Sequence, residues 1–300
     1  MKLIPFLILF TFLYSCHKSN IATTGITSNI EAKGEKDTLA HQTKVAALDL
    51  QIRETSGLAM INNAYWTVND SGDEPRLYQF DIEAGKVLNT VGLQDAKNQD
   101  WESLAEDDTH MYIGDFGNNT GGRKNLRIFK IEITQLSNSV IEKSETITFK
   151  YQDQEKYYSG YDHNFDCEAM VSKGDSLFLF SKNWLDRKCK LYGLSKNVND
   201  QSASLISEFD SGGTITGASI HKSKKEIYLL GYNGIGVYSS FVWILSDWEG
   251  SDFFSGKKTK YDLTINRQTE GIVVDKDGNL LISAEQNRGG HPSLYLVELE

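Results

Sequence analysis

The sequence predicts an all-β fold: a five-bladed β-propeller closed by pairing of its N- and C-terminal strands. Three observations predict it. A four-residue phrase recurs five times, as Ser56-Gly57-Leu58-Ala59, Glu102-Ser103-Leu104-Ala105, Glu168-Ala169-Met170-Val171, Thr216-Gly217-Ala218-Ser219 and Glu270-Gly271-Ile272-Val273. Successive copies begin 46, 66, 48 and 54 residues apart, close to the roughly 40–50-residue period of propeller blades. Each phrase opens a series of short β-rich runs divided by turn residues. The last series is one run short, and a spare run stands at the opposite end of the chain.

Taken in order, the first unit has runs at 56–60, 65–68, 77–81 and 87–92, and the second at 102–105, 111–114, 126–133 and 145–151. The third has runs at 168–172, 176–181, 190–194 and 204–209, and the fourth at 216–221, 226–231, 241–245 and 258–263. Four runs per unit match the four strands of a blade. The fifth unit has only 270–275, 279–284 and 293–299. Its missing outer strand is supplied by 43–52, and pairing the two ends removes an open sheet edge. A sixth blade would need roughly another 40 residues. Helical signals are nearly absent, and proline is rare at 3 residues.

Residues 1–15 read as a leader. Met1-Lys2 is a short positive start, and Leu3 to Tyr14 is an apolar run of signal-peptide length, short for a membrane span. It ends in Leu13-Tyr14-Ser15-Cys16, which resembles a bacterial lipobox. The implied processing is cleavage before Cys16 and lipidation of that residue, placing the protein on the bacterial cell envelope, at the outer membrane or cell surface. The alternative is an ordinary secretory signal with an incidental cysteine. Residues 16–42 read as the lipidated cysteine and a Ser/Thr/Asn/Lys-rich flexible tether, reaching on the order of 30 Å. Residues 43–300 form the propeller, expected as a monomer.

The formal net charge is −10. That balance excludes general binding to nucleic acid or anionic membrane and favours cations as partners. Cys167 and Cys189 fall on the first and third strands of one blade. Two strand spacings, about 9.5 Å, exceed the usual separation for a disulfide, so two unpaired buried thiols are expected. An exported location leaves a bridge open as the alternative.

Ser56, Glu102, Glu168, Thr216 and Glu270 open the five phrases and would lie at one level around the axis. Three carboxylates and two hydroxyls converging there repel unless a cation sits among them. Oxygen donors without His or Cys favour calcium. The ion is either a structural pin for the blades or part of a binding or catalytic site, and a metal-free, water-filled channel is the third possibility. Glu54, two residues before Ser56, supplements the ring.

The loops after each second strand open on the same face. They contain Asn69 and Asp70, Asp115 and Asn118, Lys182 and Asn183 beside Trp184, Tyr232 and Asn233, and Glu285, Asn287 and Arg288. Asn, Asp and Gly favour turns for backbone reasons alone. The added aromatic and basic residues suggest a polar pocket with aromatic walls, holding a small polar ligand or an envelope protein. The insertion 152–166, with Tyr157, Tyr158, Tyr161 and His163, is either a lid over that face or a decorated surface loop. Asn69-Asp70-Ser71-Gly72-Asp73 lacks the distant Glu of an EF-hand loop and reads as a turn. No Gly-Xaa-Ser-Xaa-Gly elbow, Walker loop, dinucleotide fingerprint or zinc spacing occurs.

The stretch from Ser56 to Asp81, with DWESLAEDD and YIGDFGNN further on, resembles a group of exported bacterial propeller lipoproteins placed near the SdiA-regulated family. It brings no reaction with it. The five phrases also resemble the calcium ring of soluble calcium-activated nucleotidases (apyrases), five-bladed propellers with one Ser or Glu per blade on a central calcium. That family's order falls here on Ser56, Glu102, Glu168, Thr216 and Glu270, with Thr replacing Ser at 216. The resemblance implies the fold and calcium. The nucleotide-contacting residues have no counterpart that can be placed, so the activity is not implied. The expected function is a lipid-anchored, calcium-binding propeller acting as a ligand-binding or scaffolding module. The alternative is a calcium-dependent hydrolase of a phosphoanhydride, ester or lactone, with Glu54, Asp70, Asp115 or Glu285 as general base.

Overall fold

Alternating apolar residues give each run one face to bury, and the chain answers with strands throughout. A computed structural model describes residues 40–234, 236, 238–275, 277–286 and 290–299. The leader, Cys16, the tether as far as residue 39 and the rim residues Asn287 and Arg288 lie outside the described residues, while 40–42, expected as the end of the tether, are strand. The strands are β1 (Ala40–Ala47), β2 (Thr55–Ile61), β3 (Ala64–Asn69), β4 (Arg76–Phe80), β5 (Val87–Leu93), β6 (Trp101–Glu106), β7 (His110–Asp115), β8 (Leu126–Glu132), β9 (Val140–Ile141) and β10 (Glu145–Tyr151). They continue as β11 (Cys167–Lys173), β12 (Ser176–Ser181), β13 (Cys189–Ser195), β14 (Asp200–Phe209), β15 (Thr214–His221), β16 (Glu226–Asn233), β17 (Ser239–Ser246), β18 (Lys257–Asp262), β19 (Thr269–Val274), β20 (Leu280–Ala284) and β21 (Ser293–Leu299). No α-helix occurs among the described residues; two short 3₁₀ turns do.

Among the described residues the hydrogen-bonded sheets number four. One is β15-β16-β17-β18. A second is β2-β3-β4-β5 with β9 added in parallel at its edge. The third is β19-β20-β21 completed by β1, which runs antiparallel to β21 from Ala40↔Leu299 to Ala47↔Ser293. The expected pairing of the chain ends is therefore present, with the strand at 40–47 rather than 43–52. Leu50–Ile52 turns away as a 3₁₀ segment because the Asp49 carboxylate accepts from the Gln51 N–H at 3.1 Å.

The fourth sheet has eight strands and joins two antiparallel meanders, β6-β7-β8-β10 and β11-β12-β13-β14. Its cause is the length of β14. The second half of β14 pairs with β13, while Asp200–Ala203 reaches across to run parallel with Thr148–Tyr151 of β10. Both outer strands are thereby covered rather than left as open edges.

The first strands pack against one another in the cyclic order β2, β6, β11, β15, β19 and back to β2. The core is divided accordingly. Each of five apolar clusters lies between consecutive meanders, as where Trp66, Val68 and Leu77 meet Trp101, Ile113 and Phe129, or where Leu179 and Tyr192 meet Ile128 and Phe149. The sheets thus bury both faces against neighbours. The fold is all-β and propeller-like. Cys167 and Cys189 are both buried and free.

Candidate functional site

The five phrases mark one local irregularity. In every inner strand the ladder slips at the phrase's first residue: between Thr55 and Leu58, Trp101 and Ser103, Cys167 and Ala169, Ile215 and Gly217, and Thr269 and Gly271. Glu102, Glu168, Thr216 and Glu270 are thus the extra residues of β-bulges, and Ser56 shares its bulge with Gly57. A bulge bends its strand and re-aims a side chain that the ladder would otherwise direct into a sheet face.

The small second residue follows from the same packing. A Cβ on Gly57 would lie 2.3 Å from the Leu104 backbone nitrogen, and one on Gly271 would lie 2.4 Å from the Ser56 carbonyl oxygen. Further along the strands, Leu58, Leu104, Met170 and Ala218 leave only about 10 Å³ between them. The ring residues therefore sit at the closed end of a cup.

All five ring residues are buried. The two hydroxyls are spent on the backbone: Ser56 Oγ donates to the Glu102 carbonyl at 2.8 Å and Thr216 Oγ1 to the Thr269 carbonyl at 2.7 Å. The three carboxylates are not satisfied. Glu102 Oε1, Glu168 Oε2 and Glu270 Oε2 are buried without a hydrogen-bond partner. A cavity of about 560 Å³ opens over them, lined also by Asp70, Asn119, Tyr161, Asp162, Lys182, Trp184, Arg187, Tyr232, Gly234, Tyr238 and Gln268.

Two kinds of environment divide the ring. Around Glu168 the positive charge is built in. Lys182 Nζ forms a buried ion pair with Glu168 Oε1, and lies 5.2 Å from the Trp184 ring centre and 5.6 Å from that of Tyr232. Burial opposes the Lys182 charge, but Glu168 first, then Tyr232 and Glu270, hold its pKa well above the ordinary lysine value. Around Glu102 carboxylates predominate, with the Arg123 guanidinium opposing them at Asp100. Asp70, Asp100 and Glu102 each present an oxygen within 4.8 Å of the others.

Burial and the mutual repulsion of carboxylates then raise their pKa values. Asp100 is pushed up to about 7 by desolvation and by Asp70 and Asp166, against the pull of Arg123. Glu102 is raised well above its usual range by burial and then Asp70. Glu270 rises to about 8, chiefly by burial, against the opposing pull of Lys182. Glu285, buried beside Glu54 and Asp70, is raised well above the carboxylate range. The cluster is short of positive charge in a low-dielectric setting.

The other expected face residues divide into lining and scaffold. Asp70, Lys182 and Tyr232 line the cavity. Asn69 binds the Gln51 carbonyl and Asp73 at 2.7 Å each and accepts from the Glu54 N–H. Asp115 is fully enclosed by Arg123 and Arg127 at 2.9 and 2.8 Å. Asn118 ties Phe165 and Arg123 together, and Asn183 bridges Ser181 and Asp186. Asn233 is exposed. None of Asn69, Asp115, Asn118, Asn183, Asn233, Glu54 or Glu285 lines the cavity; the turn chemistry of Asn and Asp accounts for most of them.

Among the contributors not singled out from the sequence are Arg187 and Tyr238 of the cavity wall, and Asp100, Gln268 and Asn98. Asp100 and Gln268 stand two residues before Glu102 and Glu270, as Glu54 stands before Ser56, so the same offset would have found them. Asn98 carries no such signal. Its amide nitrogen donates to the Asn69 and Asp70 carbonyls at 3.0 Å each, and its oxygen accepts from the Trp101 N–H. It thereby holds Asp70 against the Asp100–Glu102 segment. The insertion 152–166 folds over Gly121 through the Tyr158 N–H. It brings Tyr161 and Asp162 to the cavity, with Tyr161 edge-on to Trp184 at 4.9 Å.

No protein-family model matches the chain, and no curated protein matches it. Solved structures do. The tail fiber of Staphylococcus aureus phage P68 matches at 13% identity and TM-score 0.47 over 86% of this chain, which spans about half (52%) of that one. A glucose dehydrogenase matches at 11% identity and TM-score 0.48, covering 86% of this chain and 99% of the other. A putative oxidoreductase (glucose dehydrogenase) from Thermus thermophilus matches at 10% and 0.47, covering 86% and 100%. These glucose dehydrogenases are propeller-like folds, and at this identity and score the likeness carries no argument about activity.

Proposed function

We propose that the chain is a five-bladed propeller whose cup binds a hard divalent cation, calcium by its donor set, as part of a ligand-binding module. The module is held at the bacterial envelope through lipidated Cys16. The blade count rests on five inner strands in cyclic contact and five inter-sheet cores, the eight-stranded sheet being two blades linked by β14. The observation that carries the cation is the buried, unpartnered Glu102 Oε1 beside Asp70 and Asp100. Oxygen-only donors of this charge suit calcium. Asp70, Asp100 and Glu102 would hold the ion; Lys182 already serves Glu168. The reading therefore keeps Glu102 from the five-residue ring that resembles the apyrases and moves the centre of binding off the axis.

The test is calcium titration of the full chain in detergent by calorimetry, with Asp100→Asn alongside. One saturable site that Asp100→Asn weakens at least ten-fold supports the reading. Absence of binding, with no metal retained on purification, refutes it. A second reading, a calcium-dependent hydrolase, is favoured by the cavity of about 560 Å³ that opens beside Asp70 and Glu102, where an ion held there would polarise a substrate and a carboxylate not bound to it would serve as general base. Asp115, with both oxygens on arginines, does not suit that role. Turnover of esters, lactones or phosphoanhydrides that needs both calcium and Asp100 would establish it.

A further inference from the structure

Among the described residues, five carboxylates line the cavity against two basic side chains, Lys182 and Arg187. With all five ionised, three negative charges are uncompensated, and a divalent ion still leaves at least one. Glu168 Oε2 and Glu270 Oε2 remain buried and unpartnered, and neither belongs to the Asp70–Asp100–Glu102 group. The wall around Lys182 is aromatic, and its faces already carry cations. Lys182 Nζ stands over Trp184 and Tyr232, and the Arg187 guanidinium lies 5.5 Å from the Trp184 ring. Tyr161, 59% exposed, continues the aromatic surface to the rim.

The Lys182 side chain is thus an alkylammonium bound by a carboxylate and two ring faces, the combination that recognises organic cations. We propose that the cup's organic ligand is a second alkylammonium, a protonated primary amine seated on Glu270 with its carbon chain along Tyr161 and Trp184. Phosphate and carboxylate ligands are disfavoured by the same field, which repels them at contact distance in a poorly screened cavity. The inference rests on the ligand-binding reading above and names its ligand class.

The experiment uses the full chain in detergent, with calcium present and in chelator, titrated with cadaverine, with a blocked lysine-containing peptide and with inorganic phosphate. Cadaverine is expected to bind one-to-one and to change Trp184 fluorescence. Tyr161→Ala is expected to weaken it about five-fold, the loss of one aromatic contact with its carbon chain, and Glu270→Gln about ten-fold or more, with thermal melts confirming that each variant is folded. Inorganic phosphate is expected not to bind. Tighter binding of the peptide than of cadaverine supports the proposal with a partner's lysine as the source, and the reverse order supports it with a free amine. No cadaverine binding, binding indifferent to Glu270→Gln, or displacement by phosphate overturns it. Calcium binding without amine binding sinks this inference alone. Amine binding without calcium binding sinks the metal site alone.

Discussion

Replacing Lys182 by Met tests the centre of the site most directly. The side chains of Lys182 and Glu168 are 5% and 4% exposed, so neither charge has water to fall back on. Met fills a similar volume but leaves Glu168 facing Glu270 and Asp166 without its cation. Removing one partner of a buried ion pair costs about 3–5 kcal/mol. For a domain of this size each kcal/mol shifts the melting temperature by about 2–4 °C, so a fall of about 6–20 °C is expected at pH 8. The orphaned carboxyl escapes by taking up a proton. Its folded pKa is already raised, first by burial, so its contribution to stability is present at low pH and lost as pH rises. The deficit of Lys182→Met is therefore smaller at pH 5 than at pH 8. The double variant Lys182→Met, Glu168→Gln removes the stranded charge and recovers most of the loss. The assay is urea denaturation of the single and double variants at both pH values. A single variant that loses under about 1 kcal/mol at pH 8, or a double variant no better than the single, would refute the claim that Lys182 neutralises the ring.

Three further outcomes follow from the same geometry. In chelator the wild-type chain should lose stability from about pH 4, the unfolded carboxylate range, up to about pH 8, because the raised pKa values of Asp100, about 7, and Glu270, about 8, mean that folding favours protonation and that this contribution disappears as pH climbs through them. For Asp100 alone the loss is at most about 4 kcal/mol, and saturating calcium should flatten the slope; equal pH profiles with and without calcium would contradict the cation reading. Gly271→Ala should lower stability by about 1–3 kcal/mol, since its methyl would meet the Ser56 carbonyl of the neighbouring inner strand, whereas Gly72→Ala, with open space around it but a φ of +88°, should cost about 1 kcal/mol or somewhat more from backbone strain alone; chemical denaturation of the two variants reads the difference. Asn98→Ala should reduce calcium affinity about ten-fold while leaving oxygen ligands untouched, because it frees the Asp70 loop from Trp101, and calorimetry with an unchanged affinity would remove Asn98 from the site.

Much of the fold was legible in the chain. Alternation and turn residues placed nearly every strand, and the phrases marked the inner strand of each meander. The small second residue and the polar first residue were both visible, and the structure supplies their reasons, a backbone contact and a bulge. The eight-stranded sheet was not legible. β14 was expected to start at 204 and starts at Asp200, since the polar stretch Asp200–Ser202 has no apolar pattern and becomes a strand only because β10 is there to pair with it.

The candidate site divides in the same way. The sequence by itself placed Ser56, Glu102, Glu168, Thr216 and Glu270 at equivalent positions of the inner strands, because strand period and repeat spacing are local properties that survive without a partner, but it did not separate the residues that line the cup from those that build its turns. Only the tertiary structure decided what those residues meet. Lys182 reaches Glu168 from the adjacent strand, Asp70 reaches Asp100 and Glu102 from another meander, and Asn98 fixes that approach. Glu168 meets its lysine across one hairpin, 14 residues on, whereas Glu102 is left short of a cation by the approach of Asp70 from another meander. That approach is set by closure of the ring and the packing of its sheets, which no local pattern encodes.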